Sequence, residues 1–420
     1  MGGVTEQVLL ARALLSRVAE PASIPVWDAV RKRGAVRVAA EVCRLAEATR
    51  LDDTESFTPE QQELAKATAA RVDGADPGAD LEIAARHGVH LVVPESAEWP
   101  HFTLSALEAA GVRRLRTWNA GKRDIAEYGE PIPPLSLWVR GGGDLATLGT
   151  QSVGIVGSRA STPYGSHVAG DLAAGLARRE FTVVSGGAHG IDAAAHRGAL
   201  AVGAPTVVVS AGGLDRPYPV SNAALFDRAA AQGLLVSESP PGCAPRRHRF
   251  LTRNRLIAAF STGTVVVEAA ARSGAMNTAG HAQRLGRPVM AVPGPVTSTM
   301  SAGCHVLLAN SDAPATLVTS VRDVVQVIGR IGDEAADESR VPKRGTTLQQ
   351  ALDELDPATR LVFDAMPARR AVRPDELVRV TGLPLPTVLG ALPDLETRGL
   401  VVADGAGHRL APSDRNAAEH

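Results

Sequence analysis

From Ser152 onward, six short β-branched runs alternate with helical stretches of ten or more residues, and this rhythm restricts the fold more than any other feature. The runs are Val153–Val156, Thr182–Val184, Thr206–Val209, Leu234–Val236, Thr264–Val267 and Pro288–Val292. They are apolar throughout, as strands covered on both faces are. A parallel pair requires a long crossover, and each intervening helical stretch supplies one. The expected fold class is α/β, an extended parallel sheet with helical crossovers. Upstream, Val89–Pro94 and Leu135–Arg140 read as two further buried strands, with a helix around Thr103–Ala110 between them.

The flanks have another texture. From Thr5 to about Arg50, apolar positions such as Leu9, Leu10, Ala13 and Leu14 recur at helical spacing, and Pro21–Pro25 breaks the first helix from the next. Asp53–Asp80 is polar and marked by Pro and Gly, although Pro59–Val72 is compatible with a helix. Beyond an acidic-then-basic linker, helical patterns at Pro357–Met366, Pro374–Val380 and Pro386–Arg398 precede an apolar run, a turn at Asp404–Gly407 and a strand at His408–Ala411. That order predicts a winged helix. The expected boundaries are a helical domain 1–78, a core 79–330, a linker 331–347, a winged helix 348–412 and a disordered tail 413–420.

The third of those helices carries one arginine against Asp394 and Glu396, and it contains Pro393, which is expected to kink or shorten it. A helix that reads a DNA groove is normally basic. The winged helix is therefore expected to bind protein or pack on a neighbour.

Net charge is −1 over 420 residues, so any nucleic-acid site must come from local clustering of cations. Forty of the 44 basic residues are arginine, a skew that GC-rich coding explains without reference to function. Three scattered cysteines without a CxxC pair argue against disulfides and structural zinc. No membrane-length apolar run or basic leader is present, so the expected location is the cytoplasm. Gly121-Lys122 is followed by Arg123, not by Ser or Thr, so there is no Walker motif; HExxH is absent too. His87 and His90 lack partners at metal-ligand spacing.

Two glycine-rich strand-to-helix turns stand out. The first strand of the repeating region ends in Gly157-Ser158-Arg159, the second in Ser185-Gly186-Gly187 followed by His189-Gly190-Ile191-Asp192. Glycine at such a turn lets backbone N–H groups approach a phosphate, helped by the helix N-terminus. Tight turns alone would also explain the glycines. The G-x-G-x-x-G spacing is missing and no acidic residue ends the second strand, which argues against a nicotinamide cofactor; no cofactor is expected. Ser185, His189 and Asp192 sit too close in one turn for a catalytic triad, and Asp192 is expected to cap or brace the helix.

Positive charge is densest in Arg246–Arg255, where five arginines fall in ten residues around Phe250. Arginine forks bind phosphates and release counterions, and an aromatic ring among them offers a stacking face. The competing readings are a solvated basic face and a core role for Phe250.

Together these stretches resemble the DNA-processing protein A (Smf) family. The similarity runs through Gly157-Ser158-Arg159, Tyr164-Gly165, Ser185-Gly186-Gly187, Gly190-Ile191-Asp192 and His196. It continues through Gly213-Leu214-Asp215, Tyr218-Pro219, Asn222, Ser237-Glu238 and Phe250 with Arg253-Asn254-Arg255. Glu268, Ser273-Gly274, Thr278, Gly286-Arg287-Pro288 and Pro293-Gly294 close it. Leu251, His305 and Ala309–Ala313 depart from the family's pattern.

The resemblance implies an extended Rossmann-like core between a small N-terminal helical (SAM-like) domain and a C-terminal winged helix. It implies sequence-independent binding of single-stranded DNA, loading of RecA recombinase in natural transformation, and a homodimer, without enzymatic chemistry. The DNA-binding residues it points to are Gly157, Ser158, Arg159, Ser185, Gly186, Gly187, Arg246, Arg249, Phe250, Arg253, Asn254, Arg255 and Ser273. A more distant resemblance, to phosphoribohydrolases of the lysine-decarboxylase-like family, implies an alternative: a nucleotide-binding enzyme with Glu268 as its acid. The spacing around Gly263-Thr264 and Glu268 fits that motif only loosely.

Overall fold

A computed structural model describes residues 4–121, 129–329, 352, 355–367, 370–405 and 407–411. The expected linker 331–347 and tail 413–420 lie outside the described residues. The chain forms two compact units, Met1–Glu334 and Ala335–His420.

The first unit opens with helices α1 (Glu6–Val18), α2 (Ile24–Arg33), α3 (Ala35–Arg50), α4 (Pro59–Thr68) and α5 (Pro77–Arg86). Then follow β1 (Val89–Val92), α6 (His101–Asn119), β2 (Leu137–Gly141) and the short α7 (Leu145–Leu148). The alternating region is β3 (Ser152–Val156), α8 (Pro163–Ala177), β4 (Thr182–Ser185), α9 (Ile191–Ala201), β5 (Thr206–Ser210), α10 (Ala223–Gln232) and β6 (Leu234–Ser237). It continues with α11 (Arg247–Ala259), β7 (Gly263–Val266), α12 (Gly274–Arg284), β8 (Val289–Ala291), α13 (Ala302–Leu308), β9 (Thr316–Leu317) and α14 (Val321–Ile328).

The nine strands form one sheet in the order β1-β2-β6-β5-β4-β3-β7-β8-β9. From β6 to β9 every pairing is parallel, and β1 and β2 add an antiparallel edge. All eight strands expected for this sheet are present. Strand β9 was not foreseen, because its two residues are exposed and belong to no apolar run. Side chains alternate between two apolar layers: Val153, Ile155 and Val183 pack with α8, α9 and α14, whereas Val156, Val184 and Val266 pack with α11 and α12. A sheet covered on both faces is the reason its strands read as continuous apolar runs.

Two helices differ from expectation in length. Helix α6 continues beyond Ala110 through Gly111, where a side chain would meet Trp27 and Pro133 at 3.2 Å. That glycine serves close packing and does not end the helix. In the N-terminal region a second break falls at Gly34, whose φ of +81° separates α2 from α3.

The second unit contains α15 (Pro357–Asp364), α16 (Pro374–Thr381), α17 (Leu385–Thr397) and the antiparallel hairpin β10 (Val401–Asp404) with β11 (Gly407–Leu410), the winged-helix arrangement. Val362, Leu377, Val388 and Leu395 make its core. Of the two effects expected of Pro393, shortening does not occur: α17 runs on to Thr397. The carbonyl that loses its donor is that of Leu389, a residue 48% exposed, where water can replace the missing bond.

Candidate nucleic-acid interface

Strand β3 lies between β4 and β7, so the chain winds outward through β4, β5 and β6 and then returns to the other side of β3. Strand order reverses there. In open α/β sheets the crevice beyond the carboxyl ends at such a point is where ligands bind. A cleft of about 670 Å³ lies there, walled by the turn after β3, the first turns of α9 and α11, and the segment leading into α12.

Close contact accounts for the first turn. A side chain on Gly157 would come within 2.6 Å of Ile191 and 2.7 Å of the Glu268 carbonyl. Gly190, at φ +74°, would press one against the Ser158 carbonyl at 2.3 Å, so both conformation and space require glycine. Ser158 is buried, and its N–H donates to the Glu268 carbonyl at 2.6 Å. Arg159, the next residue, is exposed and reaches over Phe250, its guanidinium 4.9 Å from the ring centre. Tyr218 packs on the same ring at 5.6 Å, making a platform of two rings and a guanidinium along one wall.

The remaining expected residues separate into those that meet at the cleft and those that do not. Ser185 is fully buried and donates to the Ile155 carbonyl at 2.6 Å, so its hydroxyl is used inside the sheet. Gly186 and Gly187 lie outside the cleft wall; Gly186 gives room to Arg253, which a side chain there would meet at 2.6 Å. Arg253 lines the cleft but is 6% exposed, and its Nη1 donates to the carbonyls of Gly186 and Val209. Burial pulls its pKa down to about 10, with Asp192 opposing, so it remains a cation at neutral pH. Asn254 also lines the cleft and donates to the Gly274 carbonyl at 3.2 Å.

Arg249 and Arg255 are turned elsewhere. Arg249 makes a two-pronged pair with Glu20 just beyond α1, at 2.9 and 3.0 Å. Arg255 is completely buried in a two-pronged pair with Glu238 at 2.6 and 2.7 Å. Arg246 is exposed but does not line the cleft. Ser273 does line it, and its hydroxyl is buried without a hydrogen-bond partner.

Of the cleft's residues, Arg272 was not singled out from the sequence, Arg247 was counted only as one of the five arginines of Arg246–Arg255, and Tyr218 was named only within the family's Tyr218-Pro219 motif. Both arginines are exposed, and among the described residues no carboxylate pairs with either. Arg247 is the first residue of α11, and Arg272 precedes Ser273 at the start of α12. A helix N-terminus already carries positive partial charge, so cations placed there raise the local potential instead of neutralising it. The available signal was an arginine beside Ser-Gly at the opening of a helix after a strand.

Other polar groups have internal partners. Glu268 is 3% exposed and accepts from the Thr162 N–H at 2.9 Å and its hydroxyl at 2.6 Å, fastening the start of α8. Asp192 accepts from the Ala188 N–H at 3.3 Å, in the bracing role expected of it; burial pushes its pKa up. His189 is exposed, and His90 pairs with Glu98 at 2.9 Å. His305 bonds the Gly294 carbonyl at 3.0 Å and is not a cleft residue, whereas Leu251 is. Among the described residues no helix is long and apolar enough to cross a membrane, and no group of His, Cys, Asp and Glu is placed to hold a metal.

The Glu20 link is pH-sensitive. Burial pushes this carboxyl up, but hydrogen bonds from Arg249 and His248 and the charges of Arg249 and Arg71 outweigh it and bring the pKa down to about 2. A depressed carboxylate contributes stability that is present above its unfolded pKa of about 4.5 and is lost as pH falls through about 2. Amide protection of residues 240–250 is expected to decline across that window, and to be low at neutral pH in Glu20→Gln. Protection independent of pH in the parent chain would remove this account.

The fold and site together define a class: a Rossmann-like protein with a cationic crevice at its switch point and no dinucleotide fingerprint. Residues 123–329 match the family model described as DNA recombination-mediator protein A, and residues 346–407 match the DprA winged helix domain. A DNA processing protein DprA of Mycobacterium tuberculosis is 45% identical over 390 residues, covering 93% of this chain and 91% of that protein. Protein Smf of Synechocystis is 34% identical, covering 64% of this chain and 73% of its own length. The crystal structure of DNA processing protein A from Streptococcus pneumoniae superposes with a TM-score of 0.55 at 27% identity, covering 78% of this chain and 99% of that one. The chain belongs to the DNA recombination-mediator protein A (DprA/Smf) family.

Proposed function

We propose that this protein binds single-stranded DNA without sequence preference in the switch-point cleft, and that it passes the strand to RecA recombinase as a homodimer in the processing of imported DNA. The observation that carries the reading is the set Arg159, Arg247 and Arg272: exposed, without a carboxylate partner among the described residues, and lining one cleft with the Phe250 platform. Arginine forks suit phosphates, and a ring with a guanidinium on it suits an unstacked base, which a duplex does not offer. The RecA and homodimer parts rest on the family resemblance alone. On this reading 79–330 is the DNA-binding core, 1–78 its helical flank and 348–412 a protein-binding winged helix.

Glu268 is bonded to Thr162 and does not line the cleft, so no observation favours the hydrolase alternative. The direct test is a salt titration of binding to fluorescent oligo-dT and to duplex of equal length. Log affinity for the single strand is expected to fall linearly with log salt, by about 0.7 per phosphate neutralised, with weaker binding to duplex. Equal affinity for both, or release of free base from AMP, would overturn the reading.

A further inference from the structure

A second cavity, of about 400 Å³, is lined by Arg140 of β2, Val208 of β5, Leu235 of β6, Phe226 of α10 and the Gly213–Tyr218 segment that follows β5. Tyr218 lines both spaces, so the platform that walls the cleft also walls this cavity. Its floor is apolar: Val208, Leu214, Phe226 and Leu235 are each at most 7% exposed. Its rim is cationic. Arg140 is paired with Asp227 at 2.9 Å and the 88% exposed Arg216 loosely with Asp215 at 3.7 Å, whereas among the described residues Arg86 has no carboxylate partner. The Asp215 carboxylate is itself engaged by the Gly242 N–H at 2.9 Å.

We infer that this cavity takes one nucleotide, its base on the apolar floor and its phosphate on Arg86 and Arg216. The volume lies in the range of about 300–1,000 Å³ usual for small-molecule sites. A flat aromatic group with an attached anion matches an apolar floor below exposed guanidiniums, and an aliphatic ligand or a bare anion matches only half of it. The nucleotide has two possible sources: the next residue of a strand lying in the cleft, reached over Tyr218, or a free nucleoside monophosphate. The first source rests on the function proposed above; the second does not.

The test compares the parent chain with Arg86→Ala/Arg216→Ala, two exposed residues that the fold does not need. Four ligands are titrated: oligo-dT just long enough to fill the cleft, a longer oligo-dT, the longer strand with abasic residues in its extension, and dTMP. If the strand is the source, the variant keeps its affinity for the short strand and loses roughly thirtyfold on the longer one, the size of two exposed charge-assisted contacts at about 1 kcal/mol each. The parent chain then also binds the abasic strand more weakly than the intact longer one. If the free nucleotide is the source, dTMP saturates the parent chain and not the variant, with strand affinities unchanged.

Variant and parent alike on all four ligands would overturn the inference. So would a loss on the longer strand that abasic substitution does not reproduce, since that is charge attraction without a base site. Failure of the parent chain to bind any oligo-dT would sink the proposed function and leave the dTMP arm to decide the cavity by itself.

Discussion

Arg159→Ala/Arg247→Ala/Arg272→Ala is expected to bind single-stranded oligonucleotide roughly a hundredfold more weakly, at about 1 kcal/mol for each solvent-exposed contact. The slope of log affinity against log salt should flatten by about 2, the sum of three contacts at about 0.7 each. Melting should be unchanged, because all three side chains are exposed and none bonds a carboxylate among the described residues. Restoring arginine at one position at a time is expected to return affinity and slope together. A triple variant with parental affinity at matched folding would show that the strand lies elsewhere.

A different outcome is expected at Arg255. Its guanidinium is completely buried against Glu238, so Arg255→Met leaves a carboxylate without its partner in a site 8% exposed. Breaking a buried pair by removing one member costs about 3–5 kcal/mol, which corresponds to a melting temperature lower by about 4–7 °C for a unit of this size. Removing both charges, Arg255→Met/Glu238→Met, should recover most of that loss, because two buried apolar side chains need no partners. Calorimetry of the two variants separates this structural role from a DNA-binding one. Arg255→Met with parental melting and weakened oligonucleotide binding would return Arg255 to the interface.

The two predictions differ because one basic segment contains residues in unlike surroundings. From Arg246 to Arg255 the sequence presents five arginines of apparently equal standing. Arg247 alone among them is both exposed and in the cleft wall, Arg253 is bonded to backbone carbonyls beneath it, and Arg249 and Arg255 pair with carboxylates. A local field estimated by counting charges in that window is therefore too strong. Part of the difference is made up by Arg159 and Arg272, which come from two other turns.

Much of the architecture was legible beforehand. Periodicity and β-branching are properties of a few neighbouring residues, so the parallel strands and the order of elements could be read directly. Two helix ends were not legible for a physical reason: α6 runs past Ala110 through Gly111, which the close approach of Trp27 requires, and Pro393 does not stop α17 because the carbonyl that loses its bond lies on an exposed face. Helix ends depend on such surroundings, and a local pattern does not contain them.

By itself the sequence determined the α/β class, the winged helix, the glycine turns and the family, because each is written in local pattern or in ordered short motifs. Only the tertiary structure decided which cations stand free at the cleft. Arg249 meets Glu20 across 229 positions, Arg253 meets Gly186 across 67, and Arg255 meets Glu238 across 17. An arginine is free to bind phosphate only where folding brings it no nearer partner, and those partners are chosen by the packing of elements far apart along the chain.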